Sequence, residues 1–315
     1  MTTVSKTVLI TGATGFIGRH VFQEFQDMGW NTIGTSRTST SEKYLSLTLD
    51  DDEGIRRTIA LVRPDVVIHL AGVAHRRAGR SEYERINNRG TEVLGQALAA
   101  ICPGAILVYA SSATVYGDGP FSAPITEQHP TDPSGHYAVS KLRGEEAILS
   151  QTKLIRAIAL RFPALYACDW LFNVRKRAYA PPPLNHFLLH LLGSHTEYSF
   201  CAVENAMIAI RLAASGQLAS GTYNVADEGP YDQATVSKVV SQLEKTEAHL
   251  HIPLPVPLIK PLYWGISALL PTKLRYRTRS AYHKLVDGMV LDCSYIQSAG
   301  YRSTVTLTGL VGRDC

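Results

Sequence analysis

A serine, a tyrosine and a lysine in this chain have the types and spacing that proton transfer requires. Ser112 ends the apolar run ILVYASS, and Tyr137 and Lys141 stand four residues apart in HYAVSK. Residues four apart share one face of a helix, so the ammonium of Lys141 is expected to lower the pKa of the Tyr137 phenol. Such a phenol can exchange a proton with a substrate oxygen that Ser112 orients. These three residues are our candidate catalytic groups. The strength of this prediction depends on the motifs that precede them in the chain.

The N-terminal run TGATGFIG indicates a redox cofactor. Its glycines have the spacing G-x-x-G-x-x-G, follow a strand-like run and open a helix. Gly12 permits a tight turn, Gly15 lets the backbone approach a pyrophosphate, and Gly18 lets the helix pack closely on the strand. The helix N-terminus then offers N–H groups to the phosphates. We predict a nicotinamide dinucleotide site that includes Gly12, Gly15, Phe16, Ile17 and Gly18.

The end of the second predicted strand, GTSRTS, bears on which dinucleotide is bound. An acidic residue there would bond to the ribose 2′-OH of NAD, whereas an arginine accommodates the 2′-phosphate of NADP. Ser36 and Arg37 occupy this position, and the first acid after them is Glu42. The sequence therefore favours NADP and leaves NAD open. Asp50, in LTLDDDEG, is either an acceptor for the adenine amino group or part of the cap of the next helix.

The elements that must position these residues alternate regularly along the first half. The runs KTVLITG, WNTIGTSR, DVVIHLAG, GAILVYASS and LIRAIALRF predict strands, and the segments between them have helical periodicity. This alternation predicts an α/β fold with a doubly wound parallel sheet of the Rossmann type. We place a dinucleotide-binding domain at residues 1–165, with a segment near 200–226 that returns to it.

After Tyr166 the sequence pattern changes to proline-rich segments and short apolar runs. Residues 166–199 and 227–315 are expected to form a smaller substrate-binding lobe over the carboxyl edge of the sheet, where ligands bind in such folds. Within it, NHFLLHLLG is expected to form a short helix, and VRKR (174–177) a solvated loop.

Composition narrows the class of protein. The net charge of +4 over 315 residues does not indicate a nucleic-acid binder. No apolar run is long enough to span a bilayer and the N-terminus has no signal-peptide pattern, so we expect a cytoplasmic protein. The five cysteines show no paired spacing and predict neither a disulfide framework nor a zinc site. His69 and His75 lack partners at ligand spacing, so we expect no metal and a hydrogen-bonded core role for His69.

Taken together, the motifs resemble those of extended short-chain dehydrogenase/reductases, the group of nucleotide-sugar epimerases, dehydratases and ketoreductases. The resemblance rests on TGATGFIG, DVVIHLAG, NNRGT, SSATVYG, HYAVSK and LRFPALY, which cover the first half nearly end to end. The C-terminal half most resembles bacterial members linked to surface-polysaccharide sugars. The family resemblance implies that Ser112, Tyr137 and Lys141 are catalytic and that Asn87 supports the active site.

The same resemblance implies further contacts. Thr114 is expected near the sugar, and Asn185 near the nucleotide diphosphate. The residues expected to line the cofactor, besides those of the glycine turn, are Leu70, Ala71, Gly72, Asn87, Tyr137, Lys141 and Pro163.

Two departures from the family pattern fall in the second lobe. The run LRFPALYACDW lacks the asparagine and the YGP that commonly follow LR, and Tyr198 stands where a diphosphate-binding arginine is common. Arg161, Arg175, Lys176 and Arg177 are candidates for the missing positive charge.

The resulting prediction is an NAD(P)-dependent oxidoreductase acting on a nucleotide sugar, in the form of a homodimer. Arg37 favours a 4-ketoreductase that uses NADPH, and an NAD-dependent 4-epimerase is the alternative. Dehydration is disfavoured, because Ala113 and Thr114 follow Ser112 where the family's dehydratases carry an acidic pair. Two other hypotheses stay open: a non-catalytic NADP-binding sensor, against which the intact Tyr137 and Lys141 argue, and reduction of a small carbonyl compound.

Overall fold

A computed structural model describes residues 5–38, 41–74, 78–179, 188–192, 195–244, 251–255 and 285–313, together with positions 257, 261, 263, 265, 282 and 283. The strands in these residues are β1 (Thr7–Thr11), β2 (Asn31–Ser36), β3 (Tyr44–Ser46), β4 (Val66–His69), β5 (Ile106–Ser112), β6 (Arg156–Phe162), β7 (Ala164–Tyr166), β8 (Leu188–Leu192), β9 (Glu197–Tyr198), β10 (Phe200–Ala202), β11 (Gly221–Asn224), β12 (Tyr231–Asp232) and β13 (His251–Pro255).

The helices alternate with these strands. They are α1 (Gly18–Asp27), α2 (Asp52–Val62), α3 (Arg80–Tyr83), α4 (Gly90–Ile101), α5 (Gly135–Leu149), α6 (Phe172–Ala178), α7 (Val203–Ala214), α8 (Gln233–Leu243) and α9 (Ser294–Ser298), with a π-helical turn at Glu84–Arg89 and 3-10 turns at Ala113–Tyr116 and Thr308–Leu310. Among the described residues, none of these helices combines the length and the apolarity that a bilayer crossing needs.

The main sheet is parallel throughout, with strand order β3-β2-β1-β4-β5-β6-β11. The chain moves outward from β1 in one direction and then returns to β4 on its other side. The connections that follow β1 and β4 therefore run in opposite directions along the sheet. This opens a crevice at the carboxyl ends of these two strands. The predicted doubly wound α/β fold of the Rossmann type is confirmed.

Both faces of the sheet are buried, as the continuous apolar strands predict. On β1, Val8 and Ile10 point into a core shared with α1 and α7, and Leu9 points into a second core shared with α2, α4 and α5. Helices thus cover the buried side chains on both faces of the central strands, which fixes the register of the strand ends. Ser112, one of the catalytic candidates, is the last residue of β5.

The second lobe has a core of its own, built around Tyr166, Phe200 and Tyr231. Three two-stranded sheets contribute to it: β7 with β10, β9 with β12, and β8 with β13. The expected helix in NHFLLHLLG is wrong, because Leu188–Leu192 form β8 and pair in parallel with His251–Pro255. A short run of consecutive apolar residues has no periodicity that separates strand from helix, and its partner strand lies far away in sequence.

Two further expectations were wrong. The segment VRKR belongs to α6 instead of a solvated loop. Cys168 takes part in a disulfide, whereas Cys102, Cys201 and Cys293 are free thiols. The sequence also gave no sign of β3, a three-residue strand at the edge of the sheet.

A buried ion pair fastens α5 to the sheet. The guanidinium of Arg161 on β6 lies 2.7 Å from the carboxylate of Glu145 on α5, and both side chains are almost fully buried. Ser111 donates a hydrogen bond to the same carboxylate. Arg161 also donates to the Tyr116 hydroxyl (2.9 Å), which donates to Asn224 on β11 (2.7 Å). This network joins five elements: α5, β5, β6, β11 and the 3-10 turn at Ala113–Tyr116.

We expect Arg161→Met to lower the free energy of unfolding by about 3–5 kcal/mol, because it strands the Glu145 carboxylate in the core. Urea denaturation measures the loss. The double variant Glu145→Met/Arg161→Met removes both charges and should recover most of it. In contrast, Arg19→Met, which breaks an exposed pair with Asp169, should cost less than about 1 kcal/mol. If Arg161→Met lowers the free energy of unfolding only slightly, the Arg161–Glu145 ion pair does not stabilise the fold in the way described here.

Candidate functional site

The glycine turn between β1 and α1 forms the floor of the crevice. Gly12 has φ +69°, a conformation that favours glycine, and a Cβ there would lie 2.8 Å from the backbone N of Ala71. A Cβ on Gly18 would lie 2.0 Å from the Gly12 carbonyl oxygen. Glycine is thus required at Gly12 for the turn to lie against the residues after β4, and at Gly18 for α1 to start against the turn. The turn leaves the backbone bare where a pyrophosphate would approach the start of α1, so it fits a dinucleotide.

Hydrogen bonds hold the carboxyl ends of β1 and β4 together. The hydroxyl of Thr11 accepts a bond from the Ala71 amide (3.2 Å) and lies 2.7 Å from Nδ1 of His69, whose Nε2 lies 2.9 Å from the Thr91 hydroxyl. Burial lowers the pKa of His69 to about 3, so the ring is neutral. The predicted hydrogen-bonded core role of His69 is confirmed.

The three catalytic candidates meet at the end of β5. Ser112 is the last residue of that strand, and Tyr137 and Lys141 lie on the first two turns of α5. Lys141 Nζ donates to the carbonyl oxygen of Ala110 on β5 (2.7 Å) and lies 4.7 Å from the ring centroid of Tyr109. Ser112 Oγ accepts from the amide and the hydroxyl of Thr114 (3.3 and 3.0 Å). A strand end and a helix face therefore converge as predicted.

The electrostatics of Tyr137 differ from the prediction. Burial raises the pKa of its phenol to about 12, opposed by a hydrogen bond with Ser112 and helped by Tyr83. Lys141 does not lower it, because the ammonium bonds to the Ala110 carbonyl and its Nζ lies 5.9 Å from the Tyr137 ring centroid. At neutral pH Tyr137 is therefore protonated. The prediction that Lys141 lowers the pKa of Tyr137 was wrong, because burial raises it.

Lys141 itself is the perturbed cation of the site. Burial lowers the pKa of its amine to about 8, and the nearby carboxylate of Glu145 partly offsets that effect. Glu145 follows Lys141 by four residues on α5, so the two share a face. This helical spacing was the sequence signal for Glu145, which was missed as a supporting residue.

Asn87 connects the loop after β4 to α5. It lies in the π-helical turn, where its side chain accepts a hydrogen bond from the Val73 amide (2.8 Å) and donates to the Val73 carbonyl and the Ser140 hydroxyl (3.0 Å each). Ser140 in turn donates to the carbonyl of Tyr137. Asn87 thus positions the segment that carries Tyr137 and Lys141, as its expected supporting role requires.

A cavity of about 490 Å³ joins the glycine turn to these residues and to the second lobe. It brings together most of the predicted site: Gly12, Gly15, Phe16, Ile17, Gly18, Leu70, Gly72, Ser112, Thr114, Tyr137, Lys141 and Pro163. Sequence reasoning missed Trp170 in its lining, whose ring lies 5.1 Å from that of Phe16. Nothing in the spacing of Trp170 relates it to the glycine turn.

Other predicted residues lie outside the described lining of this cavity. They are Ser36, Arg37, Asp50, Ala71 and Asn87, while Asn185 and His75 fall outside the described residues. Asp50 pairs with Arg85 at 2.7 Å, and its neighbour Asp51 caps α2 by accepting from Gly54. Arg37 is exposed just after β2. Contacts of these residues with a cofactor stay predictions.

The candidates for the missing positive charge separate into two groups. Arg161 is held by Glu145 below the site, and Arg175 is paired with Glu244 at 2.9 Å on the outside. Lys176 and Arg177, by contrast, line the cavity. The expectation for Arg161 was wrong because its partner comes from another element.

Within the described residues, no group of three or more His, Cys, Asp or Glu side chains is arranged to hold a metal ion.

The fold is that of Rossmann-type oxidoreductases, and Ser112, Tyr137 and Lys141 lie together in the lining of its cavity. Residues 8–226 match the model of the NAD dependent epimerase/dehydratase family. The chain therefore belongs to the NAD-dependent epimerase/dehydratase family, as the motifs predicted.

The known proteins that are similar to this chain include enzymes and a protein named as a subunit of an enzyme. Methionine adenosyltransferase 2 subunit beta of Mus musculus is 37% identical over 167 residues, covering 51% of this chain and 48% of that protein. The chain thus spans about half the length of the curated relatives it matches. Bordetella bronchiseptica WbmG, solved with NAD and UDP, superposes with TM-score 0.72 at 17% identity over 98% of this chain and 94% of that one. UDP-N-acetylglucosamine 4-epimerase of Bacillus cereus gives TM-score 0.72 at 20% identity over 98% and 97%.

We expect the Lys141 amine to titrate near pH 8. In protein labelled with ¹³C-lysine, one Cε resonance should shift near pH 8 and be absent from Lys141→Arg, while exposed lysines titrate near 10.4. Between about pH 8 and 10.5 the unfolded chain keeps a proton that folded Lys141 has lost, so stability should rise with pH through that window and the rise should be lost in Lys141→Met. A Lys141 resonance that titrates above pH 10 would contradict the burial effect.

Proposed function

We propose that the protein is an NAD(P)-dependent oxidoreductase that reduces the 4-keto group of a nucleotide sugar. The observation that carries this proposal is the convergence of Ser112, Tyr137 and Lys141 on the cavity that the glycine turn also lines. Proton transfer groups and a dinucleotide cradle in one cavity are the two requirements for interconverting a ketone and an alcohol.

Each of the three candidate catalytic side chains has its own role in the reduction. Tyr137, protonated at neutral pH, donates its proton to the ketone oxygen. Ser112 accepts two hydrogen bonds from Thr114, so its own hydroxyl hydrogen is available to the same oxygen or to Tyr137. The hydrogen bond with Ser112, which opposes the rise in the pKa of Tyr137, stabilises the phenolate left on Tyr137. Lys141, bonded to the Ala110 carbonyl, holds α5 against β5 so that Tyr137 faces the cavity. A reduced nicotinamide held at the glycine turn would supply a hydride, which together with the proton from Tyr137 accounts for the conversion of C=O to CH–OH.

Reduction is favoured over epimerisation by two features of the chain. The raised pKa of Tyr137 suits proton donation, which is the role that ketone reduction requires. Exposed Arg37 follows β2, where it suits the 2′-phosphate of NADPH, a diffusible reductant. The specific observation that favours the 4-epimerase is the similarity to the Bacillus cereus 4-epimerase over the whole chain.

A non-catalytic role is the candidate from another class. It is favoured by the match to a protein named as a subunit of methionine adenosyltransferase. A binding protein has no need of a proton donor in the cavity, so the arrangement of Tyr137 and Lys141 argues for the enzyme.

The central test is turnover. We expect the purified protein to consume NADPH with a UDP- or dTDP-4-keto-6-deoxy sugar, measured at 340 nm, and Tyr137→Phe to lower kcat by about 100- to 10,000-fold. Tyr295→Phe is the matched control, because that phenol is exposed outside the cavity and should leave kcat unchanged.

The other outcomes identify the alternatives. Interconversion of a UDP-sugar with co-purified NAD and no net NADPH consumption would establish the epimerase. Cofactor binding with neither activity would contradict an enzyme and favour the binding role.

Cofactor choice has a separate test. We expect Arg37→Ala to raise the Kd for NADPH at least about tenfold, because a charge-assisted bond to the 2′-phosphate is lost, and to leave the Kd for NADH unchanged. Fluorescence titration measures both. Equal affinities of the wild-type protein for NADH and NADPH would show that Arg37 does not select the cofactor.

A further inference from the structure

The ring of Tyr109 lies between the main sheet and α5. Tyr109 is 1% exposed on β5, and its ring centroid lies 5.5 Å from that of His69 on the neighbouring strand β4. On the helix side, Gly144 leaves the space that the tip of the ring fills, since a Cβ there would lie 2.7 Å from Cζ of Tyr109. Contacts from two elements therefore fix the position of this ring, which has no part in the reduction described above.

The face of this ring lies beside the buried ammonium of Lys141. Nζ of Lys141 lies 4.7 Å from the ring centroid of Tyr109 and donates a hydrogen bond to the carbonyl oxygen of Ala110, the next residue on β5. The negative face of an aromatic ring attracts a cation within about 6 Å, and more strongly where water is excluded. Tyr109 and the Ala110 carbonyl thus contact the same ammonium from adjacent positions on β5.

The other groups around this ammonium do not offset its burial. His69 on β4 is neutral, and the ring centroid of Tyr137 on α5 lies farther from Nζ, at 5.9 Å. The carboxylate of Glu145 on α5 favours the charge, but it is also paired with Arg161 on β6. Burial is the larger effect and lowers the pKa of Lys141 to about 8. Because this value is close to neutral pH, a contact that favours the ammonium decides how much of it is charged.

We propose that Tyr109 is a positioning residue, whose ring holds the charged Lys141 ammonium against the Ala110 carbonyl where α5 meets the end of β5. A charged donor makes a shorter and stronger hydrogen bond than a neutral amine. The ring of Tyr109 therefore acts through Lys141 on the orientation of Tyr137 towards the cavity. Its effect on turnover rests on the proposed function, whereas its contact with Lys141 can be measured without a substrate.

The test compares variants of the full-length protein with the wild type. Tyr109→Leu removes the ring, and Tyr109→Phe keeps the ring and removes only the hydroxyl. Leu107→Ala is the matched control, because Leu107 is buried in the same core and lies on the same face of β5. Each protein is labelled with ¹³C-lysine, and the Cε resonance of Lys141 is followed as a function of pH.

We expect Tyr109→Leu to lower the pKa of Lys141 from about 8 to about 7, because a cation–π contact that is shielded from water is lost. Tyr109→Phe and Leu107→Ala should keep the wild-type value. During reduction of a 4-keto sugar by NADPH, the fall of kcat at alkaline pH should move to lower pH in Tyr109→Leu alone. Tyr137 does not cause this fall, since its pKa is about 12.

Three results would overturn the inference. An unchanged or raised pKa of Lys141 in Tyr109→Leu is the first, and a raised value is expected if the ring only excludes water. An equal fall in Tyr109→Phe would assign the effect to the hydroxyl instead of the ring. A lowered pKa with an unchanged pH profile of kcat would contradict the positioning role.

Two provisions keep the outcomes distinct. If Tyr109→Leu does not fold, a trifluorinated phenylalanine placed at position 109 keeps the shape of the ring and weakens its attraction for a cation, so it should lower the pKa of Lys141 in the same direction. The titrations need no turnover. A protein that consumes no NADPH with any 4-keto sugar would therefore contradict the proposed function, while the titrations would still decide whether Tyr109 holds the ammonium.

Discussion

The hydrogen bond from Lys141 to the carbonyl of Ala110 is the interaction on which the site depends. It joins the first turns of α5 to the end of β5, so the tyrosine on that helix and the serine on that strand face the same space. Just below it, the Glu145 carboxylate binds both Ser111 of β5 and Arg161 of β6. Polar groups that are costly to bury are thus used to fix one helix against two strand ends.

Burial sets the chemistry of these groups. It raises the pKa of the Tyr137 phenol and lowers that of the Lys141 amine, so both groups are less inclined to carry charge than in water. Tyr137 becomes a proton donor, and Lys141 remains mostly charged at neutral pH. Burial likewise lowers the pKa of Arg177, another cation in the lining of the cavity.

The fold and the glycine turn were predictable because their signals are local. Continuous apolar strands, helical periodicity and the G-x-x-G-x-x-G spacing each depend on neighbouring residues. Three of the failures concern contacts with other elements. Leu188–Leu192 pair with His251–Pro255, Arg161 is neutralised by Glu145 from another element, and the pKa of Tyr137 depends on what covers it. No spacing rule contains that information.

The central claim is that Tyr137 exchanges a proton with the oxygen on the reacting carbon of a nucleotide sugar. A crystal structure of the protein with a nicotinamide dinucleotide and a nucleotide sugar tests it most directly. The account predicts that the Tyr137 hydroxyl oxygen lies within about 3.2 Å of the sugar O4, with Ser112 Oγ on the same atom. A sugar ring bound elsewhere, or a Tyr137 hydroxyl directed away from it, would contradict the account.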